Sequence, residues 1–173
     1  DKKNSLYWYS KLLTRKKIKI GLVWQGDKTH PKDYKRSIAL EKLKPLFELQ
    51  DIEFISLQKG FGSEQIKSNK LEKIIIDFFE EGADIKFFQD TLSIINNLDL
   101  VITVDTAIAH IAATMNKNTW IIIPHVPDFR WGLKGHKTIW YDNVKLYRQK
   151  VINNWDSVIN NLEKDLIKKY NIK

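Results

Sequence analysis

The chain has 173 residues, of which 43% are hydrophobic, so its length suits one domain with a full core rather than two independent domains. It has no cysteine, which excludes a disulfide framework and a thiolate metal site and fits a reducing compartment, the cytoplasm. Its net charge of +8 is spread along the chain, which favours acidic partners without naming one, and no run has the roughly 18 to 20 apolar residues of a membrane span.

Short apolar strands alternate with helical patterns from the first part of the chain onward. Residues 1–17 predict a basic, amphipathic lead-in or interdomain connection. Residues 18–24 are almost entirely apolar and predict a buried parallel strand. The apolar spacing over 40–49 predicts a helix, and 51–58 predicts a second strand.

The same alternation continues through the second half. Residues 63–88 predict a helix and a short strand near Ile74, with competing patterns, and Asp90 and Thr91 predict a cap for a helix over 92–98. The remaining predicted elements are a strand at 100–104, a helix at 106–115, strands at 119–124 and 144–147, and a closing helix at 155–170.

Alternating strands and helices without hairpin turns predict an α/β fold, a Rossmann-like parallel sheet flanked by helices. We expect a lead-in over 1–17, the sheet domain over 18–150 and a closing C-terminal helix over 151–173. Right-handed crossovers place every strand's carboxyl end on one edge, where ligands bind in such sheets. A site is therefore expected in the loops after Trp24, Gln58, Val104 and Pro124.

The segment 100–113 is the most informative part of the sequence. An apolar strand runs directly into a helix whose first turn carries Asp105 and Thr106. Helix N-termini have unpaired backbone N–H groups and a partial positive charge, so this corner predicts a diphosphate site. The alternative is that Asp105 or Thr106 merely caps the helix. His110 shares a helix face with Thr106, and an alternative for it is a buried, hydrogen-bonded histidine.

Polar side chains gather in the other loops of the same edge. Arg36 can bind two phosphate oxygens, Lys59 can act as a point charge, and an aromatic ring such as Trp24 or Phe61 can cover a base or sugar. Each could instead be a solvated loop residue. The loops also contain Gln25, Gly26, Lys28, His30, Lys35, Ser37, Gln58, Gly60, Glu64, His125, Asp128, Arg130 and Trp131.

Several common chemistries lack their motifs. The four histidines have no tight metal-ligand spacing, so we expect no metal site and no cofactor. The dinucleotide-binding glycine pattern and the Walker A loop are missing, which argues against dehydrogenases and P-loop NTPases. A serine nucleophile elbow is also missing, which argues against the common hydrolases.

Five segments in order resemble the C-terminal half of the heptosyltransferase-like glycosyltransferases, a family often fused to tetratricopeptide repeats. The resemblance covers about residues 18–149, and its specific element is Asp-Thr-x-x-x-His at 105–110 with the preceding strand. The segments are Gly-Leu-Val-Trp-Gln-Gly at 21–26, Arg-Ser-Ile at 36–38, Ser-Leu-Gln-Lys-Gly at 56–60, Val-Asp-Thr-Ala-Ile-Ala-His at 104–110 and Pro-Asp-Phe-Arg-Trp at 127–131.

The resemblance implies the C-terminal, donor-binding half of a GT-B glycosyltransferase, which binds a nucleotide-diphosphate sugar. It implies a metal-independent, inverting transfer to an acceptor hydroxyl of a glycan, lipid or protein, with a peripheral position at the inner membrane face left open. Helix N-terminus and basic side chains would stabilise the leaving diphosphate. Together with the polar loops of the sheet edge, the resemblance gives ten expected substrate-binding residues: Trp24, Gln25, Arg36, Gln58, Lys59, Glu64, Asp105, Thr106, Ala107 and His110.

One departure from the family limits this expectation. The family's catalytic base comes from the N-terminal half, which this chain does not supply, so we expect no catalytic residue here and little turnover by the isolated domain. The alternatives are a non-catalytic nucleotide-sugar-binding or regulatory module and, on charge alone, a nucleic-acid-binding protein. No nucleic-acid-binding motif is visible, so nucleic acid is not an expected partner.

Overall fold

A computed structural model describes residues 2–13, 17–79 and 87–172, and they form an α/β fold around one sheet. The six strands of the described residues are all parallel, in the order β3-β2-β1-β4-β5-β6. This arrangement confirms the predicted Rossmann-like sheet. The strands are β1 Ile18–Val23, β2 Ile52–Ser56, β3 Ile75–Ile76, β4 Leu100–Val104, β5 Thr119–Ile123 and β6 Val144–Arg148.

Helices cover both faces of the sheet, as its apolar strands require. Every residue of β4 and β5 is buried, because a parallel strand in the middle of such a sheet packs on both sides. The helices are α1 Lys2–Leu13, α2 Asp33–Arg36, α3 Lys44–Phe47, α4 Gln65–Ser68, α5 Phe87–Asn96, α6 Ala107–Thr114 and α7 Asp156–Tyr170, with 3-10 helices at Leu40–Leu43 and Phe129–Trp131.

Alternate residues of each strand enter different cores. Leu100 and Ile102 of β4 pack with Leu162 and Leu166 of α7 on one face. Val101, between them, packs on the other face with α1 and α5. A third cluster joins α6 to β5 and β6. The period of two along each strand thus places α6 and α7 on opposite sides of the sheet.

The predicted cap at Asp90 and Thr91 is wrong. Helix α5 begins at Phe87, so both residues lie inside it. The buried carboxylate of Asp90 accepts a hydrogen bond from Trp8 Nε1 at 2.8 Å, across 82 positions in sequence. Since a buried carboxylate needs a donor, this contact explains an aspartate that local pattern alone interprets as a helix start.

Two other segments differ from their predicted form. The expected helix over 40–49 is a 3-10 turn followed by α3, because Pro45 near the start of α3 cannot donate the hydrogen bond of a continuous helix. The unclear segment 63–88 contains α4 and β3, while its residues 80–86 lie outside the described residues, as do 14–16 of the lead-in. Among the helices that the structure describes, none is long and apolar enough to cross a membrane.

Candidate functional site

The strand order reverses direction between β1 and β4, which is where open parallel sheets form a ligand crevice. A cavity of about 990 Å³ lies there, walled by the loops after β1, β2, β4 and β5 together with the start of α6. Its size is that of an ordinary small-molecule site, for which about 300 to 1,000 Å³ is typical. The cavity thus lies at the edge of the sheet where the sequence predicts a site.

Eight of the ten residues expected to bind substrate line this cavity. They come from three separate connections, those after β1, β2 and β4, and the fold brings them together across as many as 85 positions of sequence, from 25 to 110. The eight are Gln25, Arg36, Gln58, Lys59, Asp105, Thr106, Ala107 and His110.

Trp24 does not line the cavity. It follows Leu22 at the inward-facing period of β1 and is fully buried, and its indole Nε1 donates to Gly62 O at 3.1 Å. The ring is therefore part of the core, with its only polar atom already paired. The expectation that Trp24 covers a base or sugar face is therefore wrong. Trp24 instead supports the loop at Gly62.

Glu64 lies beside the main cavity rather than in it. Its carboxylate accepts a hydrogen bond from Gly62 N at 2.7 Å, and it lines a neighbouring cavity of about 760 Å³. Lys59 lines both cavities. The two spaces thus adjoin at Lys59, and a ligand longer than the first cavity has a direction in which to extend.

Arg36 connects the two sides of the crevice. Its Nε donates to Asp33 Oδ1 at 3.0 Å, and its Nη1 donates to the backbone oxygen of Asp105 at 2.8 Å. The carboxylate of Asp33 also accepts from Ser37 Oγ at 2.7 Å, and Ser37 Oγ accepts from Gly26 N at 2.9 Å. These bonds hold the guanidinium at the wall of the cavity, where its remaining N–H groups can reach a ligand.

Gly26 makes this network possible. A Cβ at this position would collide with the Asp33 carboxylate and approach the Arg36 guanidinium at 2.7 Å. Any residue with a side chain here would therefore require the Asp33 and Arg36 side chains to shift. The Gln-Gly sequence after β1 therefore reflects close packing around Arg36.

The start of α6 has no side-chain cap. Thr106 occupies the cap position with an extended backbone, yet within the described part of the chain its side chain makes no capping hydrogen bond to the first turn. The Thr103 hydroxyl donates to Val104 O at 2.8 Å and so accepts from Thr106 Oγ1 at 3.2 Å, which turns that hydroxyl away from the helix. The capping alternative is thereby contradicted, and Ala107 presents its exposed first turn to the cavity.

Two glutamines shape the walls beside this helix. Gln58 Oε1 accepts from Gln25 N at 3.1 Å, and Gln58 Nε2 donates to Phe61 O at 2.9 Å. Gln25 Oε1 accepts from Gln65 Nε2 at 2.7 Å. Both ends of the Gln58 amide are therefore occupied, and its place in the site is to fix the loops after β1 and β2.

His110 is held by two aromatic residues from the loop between β5 and β6. Its ring stacks on Trp131 at 5.2 Å between centroids with 19° between planes, and Nδ1 lies 3.0 Å from Tyr141 Oη. Nε2 is buried and has no hydrogen-bond partner among the residues that the structure describes. Burial, assisted by the nearby Arg130 charge, lowers the pKa of His110 below its ordinary value of 6.5, so the ring is neutral at pH 7.

This environment predicts a pH dependence of stability. Between the lowered folded-state pKa and the ordinary value of 6.5, the unfolded chain binds more protons at His110 than the folded chain does. We expect the free energy of unfolding to decrease as the pH decreases below 6.5. In the His110→Gln variant, the free energy of unfolding should decrease less steeply over the same pH range. Urea unfolding at several pH values checks this, and equal slopes for the two proteins would contradict it.

Sequence reasoning named Arg130 and Lys28 as loop residues but did not assign them to the site. Both line the main cavity. Lys28 lies over the ring of Phe61 at 4.9 Å, and Arg130 Nε is paired with Asp128 Oδ1 at 2.7 Å. The signal for Arg130 was present in the Pro-Asp-Phe-Arg-Trp segment, which follows a strand at the ligand-binding edge. Among the described residues, no three His, Asp or Glu side chains form a group that could hold a metal ion.

Comparison with solved structures gives a consistent answer about the fold. The structure of Escherichia coli ADP-heptose LPS heptosyltransferase II matches 99% of this chain and 51% of its own, with a TM-score of 0.61 and 15% identity. The chain has the fold of half a heptosyltransferase. No family model matches it, and no curated protein matches it.

Two structures of E. coli heptosyltransferase WaaC match in the same way. One, with ADP-2-deoxy-2-fluoro heptose, has a TM-score of 0.54 at 12% identity. The match covers 96% of this chain and 46% of the WaaC chain. The other, with ADP, has a TM-score of 0.55 at 13% identity, with 96% and 47% covered. This chain spans about half the length of each heptosyltransferase that it matches.

Proposed function

We propose that this chain is the donor-binding, C-terminal half of a glycosyltransferase that takes a sugar from a nucleotide-diphosphate sugar. The observation that carries the proposal is the uncapped start of α6, which lines the cavity beside the Arg36 guanidinium. Unpaired N–H groups, the helix dipole and a fixed cation converge on one space, which is the chemistry that a diphosphate requires.

The cavities suggest how such a donor would lie. The diphosphate fits between Arg36 and the backbone N–H groups at Ala107, and the nucleoside then extends past Lys59 toward Glu64 and the second cavity. The Asp105 carboxylate, which has no hydrogen-bond partner among the described residues, is suited to accept a sugar hydroxyl. Neutral His110 would support the far end of the pocket.

The proposed reaction is metal-independent and inverting, and its electrostatics follow from the same groups. The bond between the sugar and the diphosphate breaks as an acceptor hydroxyl attacks, and negative charge grows on the leaving diphosphate. A helix N-terminus and arginine side chains held in advance stabilise that charge without reorganising. The base that removes the acceptor proton would come from a second half, so this half alone binds donor and turns over little.

The matched proteins support the choice of ligand class. WaaC is described with ADP in one structure and with an ADP-sugar analogue in another. Those descriptions concern WaaC, and they make nucleoside diphosphates the first ligands to try on this chain. The acceptor depends on the other half of the protein and is outside what this half determines.

A thermal-shift screen tests the proposal. A ligand that binds only the folded form at 100 times its dissociation constant adds about 2.7 kcal/mol to stability. We expect a higher melting temperature with at least one nucleoside diphosphate or nucleotide-sugar and a smaller increase with the matching monophosphate. Failure of ADP, GDP, UDP and their sugars to shift the transition at millimolar concentration would overturn the proposal.

A further inference from the structure

The loop between β5 and β6 packs against α6. Trp131 and Tyr141 from this loop contact His110, which belongs to α6. The loop contains a short 3-10 helix, which Asp128 caps by accepting from Arg130 N at 3.1 Å. Its packing against His110 brings Arg130 to the cavity wall.

Arg148 at the end of β6 fixes the backbone of this loop. Its guanidinium donates to four carbonyl oxygens and to no carboxylate among the described residues. Trp140 Nε1 adds a hydrogen bond to Arg130 O at 3.0 Å. The backbone is therefore held by directed bonds at Arg130 and over the five residues that follow it. The four oxygens belong to Trp131, Gly132, Lys134 and Gly135.

The Arg130 side chain is held in one orientation by Asp128, but its terminal nitrogens remain available to a ligand. One oxygen of Asp128 accepts from both its backbone N and its Nε, the latter at 2.7 Å. Within the described part of the chain, the two terminal nitrogens make no hydrogen bond, and the side chain is 40% exposed. An exposed ion pair of this kind contributes little to stability, so it explains the orientation better than the presence of an arginine.

The order of the strands gives Arg130 a definite place along the site. From the second cavity inward, the edge presents Lys59 after β2, Arg36 after β1, Ala107 after β4 and Arg130 after β5. A donor with its nucleoside at Lys59 and its phosphates at Ala107 therefore has its distal phosphate nearest Arg130. Arg36 and Arg130 then approach the diphosphate from opposite sides of α6.

We infer that Arg130 binds the distal phosphate of the donor, the one bonded to the sugar, which leaves as the terminal phosphate of the nucleoside diphosphate when the sugar is transferred. The inference rests on the proposed function and adds to it a residue that distinguishes a diphosphate from a monophosphate. A guanidinium fork suits two oxygens of one phosphate. Asp128 aims that fork, and the aromatic contacts to His110 fix the loop that carries it.

The test compares diphosphates with monophosphates by isothermal titration calorimetry. ADP, GDP and UDP and their monophosphates are titrated into the full chain and into Arg130→Ala. A lost hydrogen bond to a charged group corresponds to about a tenfold to hundredfold loss of affinity. We expect that loss for the diphosphate and a change of less than about twofold for the monophosphate, which lacks the phosphate in question.

Three further variants make the comparison sharp. Lys134→Ala removes one positive charge from the same loop at an exposed position outside the cavity, and it should leave both affinities unchanged. Arg130→Lys retains the charge without the fork and should recover part of the diphosphate affinity. The double variant Asp128→Asn/Arg130→Ala removes the carboxylate that Arg130→Ala leaves unpaired, so a persistent loss there is due to the missing guanidinium. Melting temperatures verify that each variant is folded.

The outcomes separate this inference from the proposed function. If the unmodified chain binds no nucleotide, the proposed function fails and the inference fails with it. If the chain binds diphosphate and Arg130→Ala binds it equally well, or loses both nucleotides to the same extent, the inference alone is overturned.

Discussion

An aspartate in place of Ala107 should abolish nucleoside diphosphate binding while leaving the fold at least as stable. Ala107 is the exposed first residue of α6, whose first turn contains no acidic side chain. A carboxylate there would repel a phosphate about 4 Å away by about 4 kcal/mol at the effective dielectric of a protein surface, roughly a thousandfold in affinity. The same carboxylate complements the helix dipole and should add about 0.3 to 1 kcal/mol to stability.

The opposite signs of the two effects make this prediction specific. Calorimetric titration measures the affinity, and urea unfolding measures the stability of the same preparation. Ala107→Asn is the matched control, because the asparagine side chain has nearly the same shape as that of aspartate and can also form hydrogen bonds, but it has no charge. Unchanged affinity in the aspartate variant would show that no anion binds at the start of α6.

Replacing Arg36 with alanine should weaken diphosphate binding by about 1.5 to 3 kcal/mol, the range for a hydrogen bond to a charged group. It should also destabilise the fold, since the mostly buried Asp33 carboxylate loses its cation and retains, among the described side chains, only the hydroxyl of Ser37 as a partner. The free energies of binding and of unfolding, measured separately, should both fall.

The two losses have different causes and can be separated. The double variant Asp33→Asn/Arg36→Ala removes the stranded charge and should recover stability without recovering affinity. Lys35→Ala, one position earlier on an exposed face, changes net charge by the same amount and should alter neither quantity. Full affinity in the double variant would assign Arg36 to loop structure alone.

Much of the fold follows from burial on both faces of a parallel sheet. Such strands are apolar throughout, and the prediction over 100–104 therefore matches β4 at both ends. The site follows from the same rule, since it collects at the carboxyl ends of the strands. The rule predicts that Arg36 and Asp105 lie close together although 69 positions separate them, and the structure shows a hydrogen bond between them.

The misassigned residues depend on side-chain direction and on distant partners. Trp24 was placed in the site because it ends a strand, but the period of two along β1 turns it, like Leu22, into the core. The local pattern at Asp90 resembles a helix start. Its actual partner, the indole of Trp8, lies 82 positions away and is not visible in that pattern. Glu64 lines the adjoining cavity rather than the main one, because its carboxylate is bonded to Gly62 N, and the sequence pattern does not reveal that local hydrogen bond.

The bonds that join Gly26, Ser37, Asp33 and Arg36 to the backbone of Asp105 have a kinetic consequence. They hold the loops on both sides of the crevice in place before a ligand binds, so binding should cost little conformational entropy. Encounter of a polyanion with this receptor should then be fast and steered by charge, with an association rate that declines as ionic strength increases.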